Sequence, residues 1–157
     1  TRYPLVTGVQ TCALPIFIMG NHLHACLSTL SHFNTWEEAL SNYIFEHTEL
    51  QSSEKDVLSQ QVQETVSRDS FQQIFKTSDE VLTEHDIQIN AREVVRPDRI
   101  HMGETYVEVY DFKTGAEMDK HFQQVKNYMT ALQSATDKTV RGFLAYTKSG
   151  VLKEVVL

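Results

Sequence analysis

The chain has 157 residues, a length that fits one domain of ordinary size. Its composition, 41% hydrophobic and 22% charged, is typical of a soluble globular protein, and no stretch approaches the roughly 20 consecutive apolar residues of a membrane span. The formal net charge of -7 excludes a generally basic nucleic-acid coat, but it leaves open a nucleic-acid enzyme whose carboxylates bind metal ions.

The first sixteen residues, Thr1 to Ile16, are predicted to be a non-native leader. The run has neither a helical period nor sustained alternation, and it lacks the charged start and cleavage site of a signal peptide. It resembles translated sequencing-adapter sequence, and a native extended or disordered arm is the alternative interpretation. Without Cys12 in the leader only Cys26 remains, and a single cysteine predicts a reducing, cytoplasmic location.

From Phe17 to about Ser78 the apolar residues recur at helical spacing, which predicts an α-helical segment over residues 17–78. One face of the first predicted helix carries Met19, Leu23, Leu27 and Leu30. Asn34 or Thr35 is a suitable N-cap for the second helix, because Glu37 and Glu38 follow in the first turn.

After residue 80 the period changes to strand alternation. The predicted strands are residues 84–89, 93–96 and 106–113, followed by a helix with Phe122 to Leu132 on its apolar face and by strands at 140–146 and 151–156. Gly103-Glu104 is the predicted turn before the third strand. This β-β-β-α-β-β order over residues 81–156 predicts an α/β (α+β) fold, in which a mixed sheet with a crossover helix follows an α-helical segment.

Two carboxylates in this region are predicted to converge. Asp98 stands before the turn near Gly103, and Asp111 lies on the strand after it, with Lys113 on the same side because strand side chains alternate. Two close carboxylates repel unless a cation lies between them, and oxygen-rich sites suit Mg²⁺ or Mn²⁺. With a lysine to orient water, this is the equipment of metal-assisted phosphodiester hydrolysis. The alternative is two ordinary ion pairs, Asp98 with Arg99 and Asp111 with Lys113.

Several motifs in this order resemble a known family. Pro97-Asp98, followed by Asp111-Phe112-Lys113, is similar to the PD-(D/E)XK nuclease motif. The segment from Gln124 to Tyr128 resembles the Q-x-x-x-Y signature of the exonuclease V (RecB-like) branch, and the segment from Gly20 to His24 resembles its G-x-x-x-H motif. The closest likeness is to the C-terminal nuclease domain of bacterial UvrD-type helicase–nucleases, over about residues 19–156. It implies a restriction-endonuclease-like core and a nuclease domain over residues 17–157.

The resemblance also implies roles for individual residues. The implied metal ligands are His24, Asp98, Asp111 and the backbone carbonyl of Phe112. Lys113 would position the attacking water, and Gln124 and Tyr128, four residues apart on one helix face, would contact DNA or orient Lys113. Glu84, expected on the first strand, is a possible further acidic site residue. On their own, His24 reads as an ordinary helix histidine and Tyr128 as a core residue.

The function implied is that of a Mg²⁺- or Mn²⁺-dependent deoxyribonuclease. It would act as an exonuclease on linear DNA ends, in double-strand-break processing and recombination repair. Its partners would be the helicase motor of the parent chain and possibly a second helicase–nuclease subunit, with no membrane. The chain has no G-x-x-x-x-G-K-[ST] phosphate loop and hence no ATP site of its own, and it lacks the cysteines of the iron–sulfur branch. The alternatives are a catalytically silent module that binds DNA or braces a helicase, and an intact site that is inert without its motor.

Overall fold

The computed structural model describes residues 13–31 and 35–157, with the backbone alone for residues 13–18. The first helix begins at Ala13, inside the predicted leader, while residues 1–12, Cys12 among them, lie outside the described residues, as does Asn34. The leader therefore stays a prediction. Among the described residues, no helix has the length and apolarity needed to cross a membrane.

Helices make up the N-terminal half of the described chain. They are α1 (Ala13–Ser28), α2 (Trp36–Glu46), α3 (Ser52–Ser67) and α4 (Gln72–Phe75), with a 3-10 turn at Asp69–Phe71 before α4. The predicted apolar face of α1 is buried at Met19, Leu23, Leu27 and, just beyond the helix, Leu30. The start of α2 is set by a capping box: Glu38 N–H donates to Thr35 Oγ1 at 3.3 Å, and Thr35 N–H donates to Glu38 Oε2 at 3.0 Å. Such a cap contributes about 1 kcal/mol.

The C-terminal half contains seven strands and one long helix. They are β1 (Glu80–Thr83), β2 (Ile87–Asn90), β3 (Glu93–Val95), β4 (Arg99–Met102), β5 (Tyr106–Lys113), α5 (Asp119–Ala135), β6 (Thr139–Tyr146) and β7 (Val151–Val155). Five strands form one sheet in the order β1-β4-β5-β6-β7. Only β5 and β6 run parallel, joined by the crossover helix α5, and the other pairs are antiparallel. The predicted fold class, a mixed sheet with a crossover helix after an α-helical segment, is confirmed.

The first two predicted strands are not members of this sheet, and that prediction is wrong. Residues 87–90 and 93–95 pair with each other as a separate hairpin with largely exposed side chains. The sheet instead takes β1 and β4. In β4 three successive residues, Arg99, Ile100 and His101, are buried. A strand covered on both faces shows no alternation, so the pattern pointed to the exposed hairpin.

Helices cover both faces of the sheet, and the parity of β5 decides which side chains meet which layer. Val107 and Val109 belong to the apolar cluster with α5, whereas Tyr110 and Phe112 belong to the cluster with α1 to α4. Asp111 shares the parity of Val107 and Val109, so it points to the α5 side. Helix α5 packs closely on β6 at Gly142, which has no side chain. A Cβ at this position would lie 2.5 Å from Met129 Sδ.

Candidate active site

Asp98 and Asp111 are brought side by side by the antiparallel pairing of β4 with β5. Arg99 pairs with Tyr110, so the residue before Arg99 comes opposite the residue after Tyr110. The backbone N–H of Phe112 donates to Asp98 Oδ2 at 2.6 Å, which ties the two strands at this point. Both carboxylates are buried, with 6% of Asp98 and 1% of Asp111 exposed.

Helix α1, from the N-terminal part of the chain, brings His24 next to Asp98. His24 Nε2 lies 2.8 Å from Asp98 Oδ2, across 74 positions of sequence. The approach is close at Gly20, where a Cβ would lie 3.4 Å from Thr114 Oγ1. The hydrogen bond to Asp98 raises the pKa of His24 above its ordinary value, helped by the charges of Asp98, Glu84 and Asp111 and opposed by burial.

Glu84 does not lie on a strand, contrary to the sequence prediction. It directly follows β1 and has a positive φ of 49°, a conformation that is uncommon for residues other than glycine. Its backbone N–H donates to the carbonyl of Asp98 at 3.1 Å, and this hydrogen bond holds the turn next to Asp98. Glu84 Oε1 lies 4.0 Å from His24 Nδ1. Ligand atoms of His24, Glu84 and Asp98 all lie within 4.8 Å of one another, spacing that a metal ion could bridge.

A chain of polar contacts connects β5 to α5. Lys113 Nζ lies 2.6 Å from Asp111 Oδ2 and donates to Gln124 Oε1 at 2.9 Å. The amide nitrogen of Gln124 then donates to the hydroxyl of Tyr128 at 2.6 Å. Gln124 and Tyr128 reach the site because they are one helical turn apart on the face of α5 that packs on the sheet. Burial raises the pKa of Tyr128, so its hydroxyl stays protonated at neutral pH.

Asp111 is the electrostatically strained member of this group. Burial, followed by the charge of Asp98, raises the pKa of its carboxyl from 3.8 to about 6, against the opposing effect of Lys113. The close cationic neighbour of Asp111 is the Lys113 ammonium, 2.6 Å from Asp111 Oδ2. A further cation bound close to Asp111 would favour the charged form of this buried carboxylate.

A cleft of about 1170 Å³ opens beside these residues, between α1, α3 and the ends of β5 and β6. His24 and Lys113 contribute to its lining. Its other basic lining residues are Arg68, Lys120, His121 and Lys148. None of these four residues belongs to the site predicted from the sequence. No local signal could have identified this group, since the fold assembles it from the end of α3, the start of α5 and the turn after β6.

The arrangement combines clustered carboxylates, a histidine, a lysine held by an amide and a basic cleft, which suits metal-assisted attack on a phosphate ester. A family model for the PD-(D/E)XK nuclease superfamily matches residues 6–155 of the chain. The mixed sheet and its helices agree with the restriction-endonuclease-like fold of that superfamily. No curated protein matches the sequence with statistical significance.

Proposed function

The chain belongs to the PD-(D/E)XK nuclease superfamily, and from this premise we propose that it hydrolyses phosphodiester bonds at the ends of linear DNA. Members of the superfamily are in general metal-dependent nucleases, so membership by itself suggests metal-dependent cleavage of DNA. The observation that carries the proposal is the convergence of four side chains from three separate segments of the chain beside one basic cleft: His24, Asp98, Asp111 and Lys113.

The donor set fits a divalent cation. We propose His24, Asp98, Asp111 and the backbone carbonyl of Phe112 as ligands, with Glu84 as a further carboxylate at 4.0 Å from His24. Oxygen-rich sets of this kind favour Mg²⁺ or Mn²⁺, and the two buried carboxylates lie together where a cation would reduce their mutual repulsion. When bound there, the ion would polarise the phosphate and lower the pKa of a water molecule.

Lys113 has the position of a group that holds the attacking water. Its side chain is about one-fifth exposed, so it reaches both the buried Asp111 and the cleft. Gln124 accepts one of its hydrogen bonds, and Tyr128 fixes the amide of Gln124 in the orientation that leaves its oxygen toward Lys113. Gln124 and Tyr128 would thus act as positioning residues for Lys113, which then stabilises the negative charge that develops on the phosphate.

The cleft supports DNA as the occupant. Arg68, Lys120 and Lys148 add positive charge along the opening, while the chain as a whole carries a net charge of -7. Phosphate contacts therefore concentrate at the site, and the isolated domain should bind DNA weakly and in a strongly salt-dependent manner. We further propose that a helicase motor in the parent chain, and a second helicase–nuclease subunit, feed the strand to the domain, which would offset the weak binding expected of the domain alone.

We further propose assignment to the exonuclease V (RecB-like) branch, on the Gln124–Tyr128 and Gly20–His24 motifs, and a role in double-strand-break processing and recombination repair. A cytoplasmic location is part of the same proposal. Cys26 is a buried free thiol, which agrees with a reducing compartment.

The test is cleavage of end-labelled linear DNA by the full chain with Mg²⁺, with Mn²⁺ and with a chelator, compared between wild type, Lys113→Met and Lys126→Met. Lys126 lies on α5 outside the cleft lining and is the matched control. We expect metal-dependent cleavage that Lys113→Met reduces by about 100-fold or more and Lys126→Met leaves unchanged. Equal cleavage by all three proteins would overturn the site.

Two further readouts separate the alternatives. Cleavage of covalently closed circular DNA as fast as linear DNA would overturn the preference for ends. A wild-type chain that is folded by circular dichroism and binds Mn²⁺ by calorimetry, yet cleaves nothing even when fused to a helicase motor, would be the silent DNA-binding module instead.

A further inference from the structure

A second cluster of metal-ligand side chains lies away from the nuclease site, between α1 and the end of α2. It consists of His22 on α1, His47 directly after α2 and Glu49 two residues later, and ligand atoms of the three lie within 4.8 Å of one another. The two imidazole rings stand edge to face with centroids 5.6 Å apart. The histidines are half-buried and Glu49 is exposed, so the cluster is open to solvent on one side.

Tyr43 orients both rings. His47 Nδ1 lies 2.8 Å from the backbone carbonyl of Tyr43, which can only accept, so Nδ1 carries the hydrogen and Nε2 keeps its lone pair. His22 Nδ1 lies 2.8 Å from the Tyr43 hydroxyl, which leaves its Nε2 outside that hydrogen bond. The Tyr43 ring also stacks on His47 at 3.9 Å. Metal-binding histidines typically show this pattern, in which the nitrogen that does not bind the metal is held by a backbone carbonyl or another polar group.

The cluster is separate from the nuclease site although His22 and His24 are close in sequence. Helical residues two positions apart in sequence are separated by about 200° around the axis, so the two rings point to opposite sides of α1. His24 contacts Asp98 just before β4, whereas His22 contacts Tyr43 on α2. The two groups are therefore distinct, and occupancy of one does not depend on the ligands of the other.

We propose that His22, His47 and Glu49 bind a zinc ion that links α1 to the end of α2. Two imidazoles and one carboxylate form a nitrogen-rich set that suits Zn²⁺ and disfavours Mg²⁺, which prefers oxygen ligands in octahedral geometry. Three protein ligands leave the fourth tetrahedral position to water on the exposed side. Since α1 also carries His24, zinc at this site would hold the helix that completes the nuclease site. The proposal stands whether or not the chain cleaves DNA.

The experiment measures Zn²⁺ binding to the full chain in which His24→Ala and Asp98→Asn have disabled the first site, since asparagine keeps an acceptor oxygen for the N–H of Phe112. Calorimetry with Zn²⁺ and visible absorption with Co²⁺ are the readouts, and the absorption bands report tetrahedral coordination. We expect one ion per chain and a thermal midpoint that rises on adding Zn²⁺ but not Mg²⁺. Adding His47→Gln or Glu49→Ala should weaken binding by about tenfold or more, while His85→Gln, at an exposed histidine elsewhere, should leave it unchanged.

Glu49→Ala guards against loss of fold, because Glu49 is exposed and lies outside the helices. Its thermal midpoint without metal should equal that of the parent protein. A folded parent that binds no Zn²⁺ would overturn the proposal. So would Zn²⁺ binding that neither His47→Gln nor Glu49→Ala weakens, since the three residues would then meet only through packing on Tyr43.

Discussion

Replacing Asp111 by Asn should stabilise the metal-free protein at neutral pH. The Asp111 side chain is buried, and burial together with the charge of Asp98 raises its pKa from 3.8 to about 6. Between these two values the folded state keeps a proton that the unfolded chain has released, so stability falls as pH rises through this window. A rise of about two pKa units, at about 1.36 kcal/mol for each unit, corresponds to a loss on the order of 3 kcal/mol above pH 6.

The substitution keeps the shape of the side chain and removes its charge. Lys113 loses its ion partner, but it is partly exposed and keeps its hydrogen bond to Gln124, which limits the offsetting loss. We therefore expect Asp111→Asn to exceed wild type in unfolding free energy by up to about 3 kcal/mol above pH 6 and to match it at about pH 4.

The assay is urea unfolding in the presence of a chelator from about pH 4 to about pH 8, for wild type, Asp111→Asn and Asp56→Asn. Asp56 is an exposed carboxylate on α3 and serves as the control for removing one negative charge. Parallel pH profiles for wild type and Asp111→Asn would refute the reasoning. A variant less stable than wild type at every pH would show that the ion pair with Lys113 outweighs the desolvation of Asp111.

Two further predictions concern packing and a second buried group. Gly142→Ala should lower the unfolding free energy by about 1–3 kcal/mol, because the added Cβ would lie 2.5 Å from Met129 Sδ. Urea unfolding measures this loss, and Gly115→Ala is the control because nothing lies within 4 Å of its added atom. An equal loss in both variants would contradict the steric cause. Burial and then the charge of Arg99 lower the pKa of His101 from 6.5 to about 4, so its contribution to stability is lost as pH falls through that window, on the order of 3 kcal/mol, opposite in sign to Asp111. His101→Gln should remove this pH dependence in the same unfolding series, and coincident profiles would show that His101 is not its source.

Local patterns in the sequence were enough for much of the carboxylate site. The turn near Gly103 sets β4 and β5 side by side, and this pairing alone puts Asp98 next to Asp111. Alternation along β5 puts Asp111 and Lys113 on one side of the strand. The helical period of α5 likewise brings Gln124 and Tyr128 to one face, within reach of Lys113. Each of these relations spans a single element or a single tight turn, so a one-dimensional pattern contains it.

Pairing between distant segments required the tertiary structure. The alternation at residues 84–89 and 93–96 predicted members of the sheet, but those residues form an exposed hairpin, and the buried β4 takes the place beside β5. Glu84 consequently lies in a turn with positive φ rather than on a strand. Sequence patterns report which residues prefer burial, whereas strand order depends on which faces the surrounding helices cover.

The same distinction separates the two histidines of α1. The sequence alone determined that His22 and His24 lie on different sides of a helix, because they are two positions apart and each position turns the helix by about 100°. Only the tertiary structure decided that one ring meets Asp98 and the other meets Tyr43 and His47. Helical geometry is set by backbone hydrogen bonds within a few residues, whereas the partner of each face is chosen by the packing of segments far apart in the chain.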